Sequence, residues 1–169
     1  LPDNWDSNNN SKAVGVYVGT ENSKFVIAPT QNTSGLDWGG DGATILGIVT
    51  SGIIAEAQKD YAGESNTDKI ITQLGIYDAP AANYCRNYTF KNGKKGYLWA
   101  GGEALDAREN YNAINKAMGK IGGTTMRNRP YWTSTQVNAS MAWQCYAIDY
   151  NFSPNKKYNE IPVRAVCSI

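Results

Sequence analysis

Histidine is absent from this 169-residue sequence. Because histidine is the commonest general base and metal ligand in proteins, its absence excludes Ser-His-Asp catalysis, Cys-His catalysis and any zinc site built on imidazole. Cysteine is scarce, and Cys85, Cys145 and Cys167 are spaced too widely for a zinc cluster. These absences predict a protein without a metal or other cofactor, and they favour binding over catalysis.

Charge is low and balanced. Only 18% of the residues are charged, and 16 basic residues against 15 acidic ones leave a net charge of +1. Such a chain has no overall field that would attract nucleic acid or anionic lipid. No apolar run approaches the roughly 20 residues that span a bilayer. We therefore expect no nucleic-acid partner and no membrane insertion by this segment, and we interpret Lys94-Lys95 and Lys156-Lys157 as solvated turns.

The order of periodic segments predicts one α+β domain over residues 1–169, with residues 1–12 as an irregular lead-in. Alternating valines from Val14 to Val18 and the apolar run 24–28 indicate a β-hairpin. Helical spacing and capping patterns predict three helices, over 69–74, from Asp78 to about Tyr88, and over 103–121. Strands return after Pro130, and the best candidates are 141–150 and 161–167, separated by a polar loop over 151–159.

Several charged residues invite a functional interpretation. Asp37 and Asp41 lie in a glycine-rich loop, which we interpret as structural, with a Ca²⁺ site as the alternative. Glu103 and Asp106 lie three residues apart on a helix, and we expect a solvent-exposed face rather than a catalytic pair. Arg164 lies in an apolar strand and needs a partner, for which Glu103 is the best candidate.

The cysteines leave three possibilities open. A Cys85–Cys167 disulfide would tie a helix to the last strand and close a loop of about eighty residues. A Cys145–Cys167 disulfide would suit a hairpin of the last two strands. The third possibility is three free thiols in the core.

Six short motifs occur in an order that resembles one protein family. The chain is similar to a family of bacterial secreted or surface domains of unknown function, common in gut Bacteroidetes, which has the C-type lectin-like fold. The resemblance covers about residues 13–169. Its motifs are Asn66–Ile71, Ala81–Cys85, Asn112–Asn115 with Ile121–Thr124, Tyr131–Thr135, Ala142-Trp143 and Val163–Val166.

The resemblance implies two main helices and a twisted antiparallel sheet whose N- and C-terminal strands are adjacent. Related domains serve as adhesins, as tips of surface fibres and as variable receptor-binding proteins of diversity-generating retroelements. The chain lacks the Glu-Pro-Asn and Gln-Pro-Asp triplets of Ca²⁺-dependent sugar-binding lectins, and its cysteines do not match the reactive pair of formylglycine-generating enzymes. Neither activity therefore carries over.

Sequence and resemblance together predict a non-catalytic extracellular binding module or adhesin, secreted or at the cell surface. The eleven Tyr and five Trp agree with this. The expected partner is a host or bacterial surface protein or a glycan. In a strand, the 144, 146 and 150 side chains share the wetter face while Trp143 and Cys145 point inward. The predicted contact residues are Gln136, Asn138, Gln144, Tyr146, Tyr150, Asn151 and Tyr158.

Two other functional classes remain open. One is a structural subunit of a surface fibre or pilus, which should expose an unpaired strand or a groove. The other is a hydrolase that uses carboxylates, with Glu103 or Asp149 as the leading residue.

Overall fold

A computed structural model of the chain describes residues 5–169, so the first four residues of the predicted lead-in lie outside the described part. The described chain begins with a 3₁₀ helix, Ser7–Lys12, rather than with irregular structure. Asp6 caps this helix, because its carboxylate accepts a hydrogen bond from the Asn8 backbone N–H at 3.0 Å.

The remaining elements alternate in an α+β arrangement. The strands are β1 (Val16–Gly19), β2 (Lys24–Ile27), β3 (Asn32–Leu36), β4 (Tyr97–Leu98), β5 (Pro130–Gln136), β6 (Met141–Tyr146), β7 (Phe152–Lys156), β8 (Ile161–Val163) and β9 (Ala165–Ser168). The helices are α1 (Ile54–Ala57), α2 (Gly63–Leu74), α3 (Pro80–Asn87), α4 (Gly101–Glu109) and α5 (Tyr111–Lys120). Every helix among residues 5–169 is too short or too polar to traverse a lipid bilayer.

A four-stranded antiparallel sheet joins the two ends of the described chain in the order β1-β2-β9-β4. The predicted N-terminal hairpin is confirmed, and it pairs Val16 with Ile27. The first and last strands share this sheet but are not adjacent, because β9 pairs with β2 and β4 while β1 forms the edge. A physical reason is that the apolar β9 is buried almost throughout, whereas β1 alternates buried and exposed residues.

A second sheet has the order β5-β6-β7, and β3 pairs with β8 separately. Two predictions are wrong here. The strand predicted over 141–150 ends at Tyr146, and most of the polar loop predicted over 151–159 is strand β7, which pairs with β6 from Met141↔Lys156 to Cys145↔Phe152. Its Pro154 is tolerated because β7 is an edge strand.

Two of the three predicted helices begin earlier than predicted, and one of these is divided. α2 starts at Gly63 rather than Lys69 and ends at Leu74, before Gly75, where φ is 84°. α3 begins at Pro80, slightly later than the predicted start at Asp78. The helix predicted over 103–121 becomes α4 and α5, which meet at Asn110. A Cβ atom at Gly101 would lie 2.3 Å from the Ala57 carbonyl oxygen, so the start of α4 needs glycine to pack this closely.

Four tryptophans lie in the core of the domain. Trp38, Trp99, Trp132 and Trp143 are each at most 1% exposed. Each indole N–H donates to a backbone carbonyl at 2.8–2.9 Å, which satisfies the polar end of a large buried ring. The predicted inward position of Trp143 is confirmed.

Candidate functional site

A cleft of about 470 Å³ opens where α4 meets α5, opposite the turn that joins β6 to β7. Ligand sites in proteins are commonly clefts of this size. Its lining combines a cation, a carboxylate, an amide, two phenols and apolar groups: Arg108, Glu109, Tyr111, Asn112, Ala147, Ile148 and Tyr150.

Local hydrogen bonds hold both walls of this cleft. The backbone N–H of Tyr146 donates to the Asn151 carbonyl at 3.0 Å and closes the β6–β7 turn. The Asn128 amide donates to both carboxylate oxygens of Asp149 at 3.4 Å, which supports the turn from outside. On the helical wall, the Tyr111 hydroxyl donates to the Met126 carbonyl at 2.9 Å.

Arg108 is the most unusual residue of the cleft. Its guanidinium carbon lies 5.4 Å from the ring centroid of Tyr150, within reach of a cation–π interaction. Its Nε and Nη1 atoms are buried and have no hydrogen-bond acceptor. A buried donor without an acceptor is unfavourable, above all on a group that is always charged. Nη2 is the guanidinium nitrogen that stays accessible, so an acceptor from outside the protein would meet Arg108 there.

Two apolar side chains of the β6–β7 turn face solvent. Tyr150 is 91% exposed and Ile148 is 45% exposed. Tyrosine is favoured in recognition loops because its ring offers rigid, amphipathic contact area. The turn therefore presents a contact surface next to the Arg108 guanidinium.

The residues predicted for ligand contact fall into three groups. Tyr146, Tyr150 and Asn151 lie at the β6–β7 turn, and Tyr150 lines the cleft. Asn138 and Tyr158 are also exposed. They lie near Met141, where β6 begins, and therefore at the end of the sheet opposite the β6–β7 turn. The predicted set therefore describes two separate surfaces.

Gln136 and Gln144 do not belong to either surface, and this corrects the predicted contact set. The Gln136 side chain is fully buried, accepts from the Ile45 backbone N–H at 3.1 Å and donates to Thr50 at 2.9 Å. Gln144 is 6% exposed and bonds Ser153 and Asn155 on β7 at 3.1 Å each. Both faces of β6 are covered, so its predicted wet face begins only at the half-buried Tyr146.

A second, more open cleft of about 630 Å³ adjoins the buried Glu103. Its Oε2 accepts from the Ala100 backbone N–H at 2.7 Å, and its Oε1 accepts from the Tyr97 hydroxyl at 3.0 Å. Burial raises the pKa of Glu103 to about 7. A carboxyl group with such a pKa beside a cleft is a candidate general acid, although here it also secures the start of α4.

The predicted environments of three charged residues are wrong. Glu103 and Asp106 are buried rather than exposed, and Asp106 accepts from the hydroxyls of Thr20 and Ser23. Arg164 does not pair with Glu103. Its guanidinium donates to the Ala28 carbonyl and to Gln31, each at 2.9 Å, and to the Thr124 carbonyl.

The loop with Asp37 and Asp41 is held by a lysine. Lys157, which the sequence predicts to be solvated, is fully buried. Its Nζ donates to the Ala43 carbonyl at 2.6 Å and lies 4.5 Å from the centroid of the Trp38 ring. Burial lowers the pKa of Lys157 to about 8. Among residues 5–169, no group of three or more His, Cys, Asp or Glu side chains is placed to hold a metal ion.

The cysteines are three free thiols, all buried. Both disulfide alternatives are therefore wrong, and the third possibility is confirmed. Burial raises the pKa of the Cys145 thiol to about 11 and that of Cys85 further, which keeps both in the unreactive thiol form at neutral pH.

No family model matches the sequence, and no curated protein matches it. Among solved structures, the chain is similar to a fimbrial protein from Bacteroides ovatus ATCC 8483, with a TM-score of 0.60 and 12% sequence identity. The similarity covers 86% of this chain but only 36% of the fimbrial protein, so the chain spans about a third of that protein's length. The likeness shows a shared fold. The predicted α+β class with antiparallel sheets is confirmed, and the more specific C-type lectin-like assignment stays a prediction.

Proposed function

We propose that this chain is a domain of a bacterial surface-fibre protein and that it adopts the C-type lectin-like fold. The observation that carries the proposal is the fold shared over 86% of the chain with part of a fimbrial protein. The balanced charge and the abundance of tyrosine and tryptophan agree with a place outside the cell.

A structural role in the fibre is supported by the edge of the four-stranded sheet. β1 pairs with β2 on one side, and no strand of the described chain pairs with its other side. A groove of about 320 Å³ runs between β1 and α5, lined by Val18, Ala113, Ile114 and Ala117 among others. An unpaired strand beside an apolar groove is a feature expected of an assembling subunit.

The second candidate function is an adhesin-like binding role, which the Arg108–Tyr150 cleft favours. A subunit that only builds a shaft has no need of a cleft that combines a highly exposed tyrosine with an arginine lacking a carboxylate partner. The partner would be a protein or glycan on a host or bacterial surface. The two roles are compatible, since a domain at a fibre tip both joins the fibre and binds.

Immunogold electron microscopy of the source bacterium tests the proposal. An antibody raised against the purified chain should label fibres sheared from the cell surface, and a strain lacking the gene is the control. Label spaced along the shaft indicates a structural subunit, whereas label confined to the free end indicates a binding tip. Label found only inside the cell, with none on fibres, would contradict the proposal.

A further inference from the structure

We infer that the Arg108–Tyr150 cleft binds a carboxylate-bearing sugar, such as a uronic acid residue of a glycan. The inference rests on the proposed binding role of the domain and names the ligand class for that role. Its starting point is the cleft at the α4–α5 junction, where a cation, exposed rings and polar side chains converge.

Arg108 favours a ligand with a carboxylate. Within the described part of the chain, no carboxylate oxygen lies within salt-bridge distance of its guanidinium, although Glu109 lines the same cleft. Two of its nitrogens are buried without an acceptor. Carboxylates form short, charge-assisted hydrogen bonds with guanidinium groups, roughly twice as strong as neutral ones. The accessible Nη2 can therefore donate such a bond to a ligand carboxylate, while the two buried nitrogens keep the positive charge without a compensating carboxylate from the protein.

The aromatic walls favour a ring beside that carboxylate. The Tyr150 ring centroid lies 5.4 Å from the guanidinium carbon and the residue is 91% exposed, and Tyr111 forms part of the opposite wall. A tyrosine ring presents a flat apolar face to ligand C–H groups and a hydroxyl to water. A sugar ring offers C–H faces and hydroxyl edges that match this arrangement.

The polar walls favour a ligand of low negative charge that also carries hydroxyl groups. Glu109 places a carboxylate in the cleft, and its repulsion is stronger for phosphate and nucleic acid, which carry more negative charge, than for a single ligand carboxylate. The Glu109 carboxylate can accept hydrogen bonds from hydroxyls, and the Asn112 amide can donate and accept. The combination selects one carboxylate accompanied by hydroxyl groups.

The inference can be tested on the purified chain by isothermal titration calorimetry and ¹⁵N NMR titrations. The matched pair of ligands is glucuronic acid and glucose, which differ only in the carboxylate. N-acetylneuraminic acid extends the acidic set. We expect the acidic sugars to bind at least about tenfold more tightly than glucose, as suits a charge-assisted contact. Shift changes should centre on residues 108–112 and 146–151.

Variants separate a specific contact from general charge. Arg108→Gln should abolish the preference for glucuronic acid over glucose. Lys94→Gln removes one positive charge from an exposed turn outside the cleft and should preserve the preference. Because Arg108→Gln alters a partly buried site, Tyr150→Ala provides a second test at a highly exposed side chain, where substitution should leave the fold intact. It should weaken the binding of glucuronic acid several-fold.

Three results would overturn the inference: equal affinity for glucose and glucuronic acid, a preference that survives Arg108→Gln, or no binding of any acidic sugar. Tighter binding of free glutamate than of glucuronic acid would also overturn it, because the cleft would then select the zwitterion of an amino acid. Fibre labelling tests the proposed function independently of sugar binding. If fibres are labelled but the domain binds no acidic sugar, this inference is rejected and the proposed function stands.

Discussion

The Nζ atom of Lys157 lies 2.9 Å from Oε1 of Gln136, and both side chains are fully buried. The same Nζ atom reaches the Ala43 carbonyl at 2.6 Å. One ammonium group therefore joins the glycine-rich loop, the end of β5 and the segment after β7. It lies among oxygen acceptors, as a bound cation would.

Lys157→Met should lower the free energy of unfolding by about 1–3 kcal/mol, because the Ala43 and Gln136 oxygens lose their buried donor. Urea unfolding followed by circular dichroism measures the change. Lys156→Met, at the exposed neighbour, is the matched control and should change stability by less than about 0.5 kcal/mol. Equal effects of the two substitutions would contradict a special role for Lys157.

The lowered pKa of Lys157 adds a pH dependence. The group titrates near 8 in the folded protein and near 10.5 when unfolded, so the unfolded state binds more protons between these values. Its contribution to stability should therefore rise as the pH increases from 8 to 10.5. The difference between wild type and Lys157→Met across this range isolates the effect from tyrosine and cysteine ionisation. A difference that does not change with pH would contradict the assigned pKa.

Lys157 also shows what could not be predicted from the sequence. A Lys-Lys pair between polar residues is typical of a solvated turn, but Lys157 is buried by a loop whose Ala43 lies 114 positions away. The predicted partner of Arg164 was wrong for a related reason. Its partners are mainly backbone carbonyls, and a search for a carboxylate in the sequence cannot find them.

Local patterns predicted local structure well. The alternating valines correctly predicted the β1–β2 hairpin, and α2 ends at Leu74 as predicted. Strand β7 was missed because Ser153-Pro154-Asn155 has low β propensity, and its pairing with β6 overrides that preference. Of the cleft, Tyr150 was predicted, whereas Arg108 was not, because nothing in the sequence marks one helical arginine as lacking an acceptor.

Glu103→Gln should abolish the part of the pH dependence of stability that lies between pH 4.5 and about 7. Burial raises the pKa of Glu103 from 4.5 to about 7, so the folded state binds more protons than the unfolded state between these values. The contribution of Glu103 to stability is therefore complete below pH 4.5 and is lost as the pH rises through 7. Urea unfolding at pH 4.5, 6 and 7.5 measures this slope. Glu109→Gln, at an exposed residue of the same helix, should keep the wild-type profile.

We predict no turnover of a glycan and peptide panel by the wild-type chain, as the absence of histidine already suggests. Both carboxylate oxygens of Glu103 accept hydrogen bonds from within the protein, and Asp149 lies on an exposed turn. Mass spectrometry of the panel after long incubation gives the readout. Turnover that disappears in Glu103→Gln or Asp149→Asn would instead establish the carboxylate-dependent hydrolase.

Deletion of residues 161–169 should abolish cooperative thermal unfolding. The segment contains β8 and β9, and β9 lies inside the four-stranded sheet with Val166 and Cys167 completely buried. Removal of Ile169 alone, which is 65% exposed, should leave the transition intact. A cooperative melt of the longer truncation at the wild-type temperature would mean that β9 is dispensable for the fold.

The two exposed ends of the β5-β6-β7 sheet give competing predictions for the binding surface. Once a glycan and host-protein screen identifies a partner, the Tyr146→Ala, Tyr150→Ala double variant should weaken binding by at least about tenfold, as substitutions at binding hot spots do. The Asn138→Ala, Tyr158→Ala variant alters exposed residues at the opposite end and should bind normally. Surface plasmon resonance measures both. The reverse result would move the site to the other end of the sheet, near the glycine-rich loop, where the Trp38 backbone N–H donates to the Lys157 carbonyl at 2.9 Å.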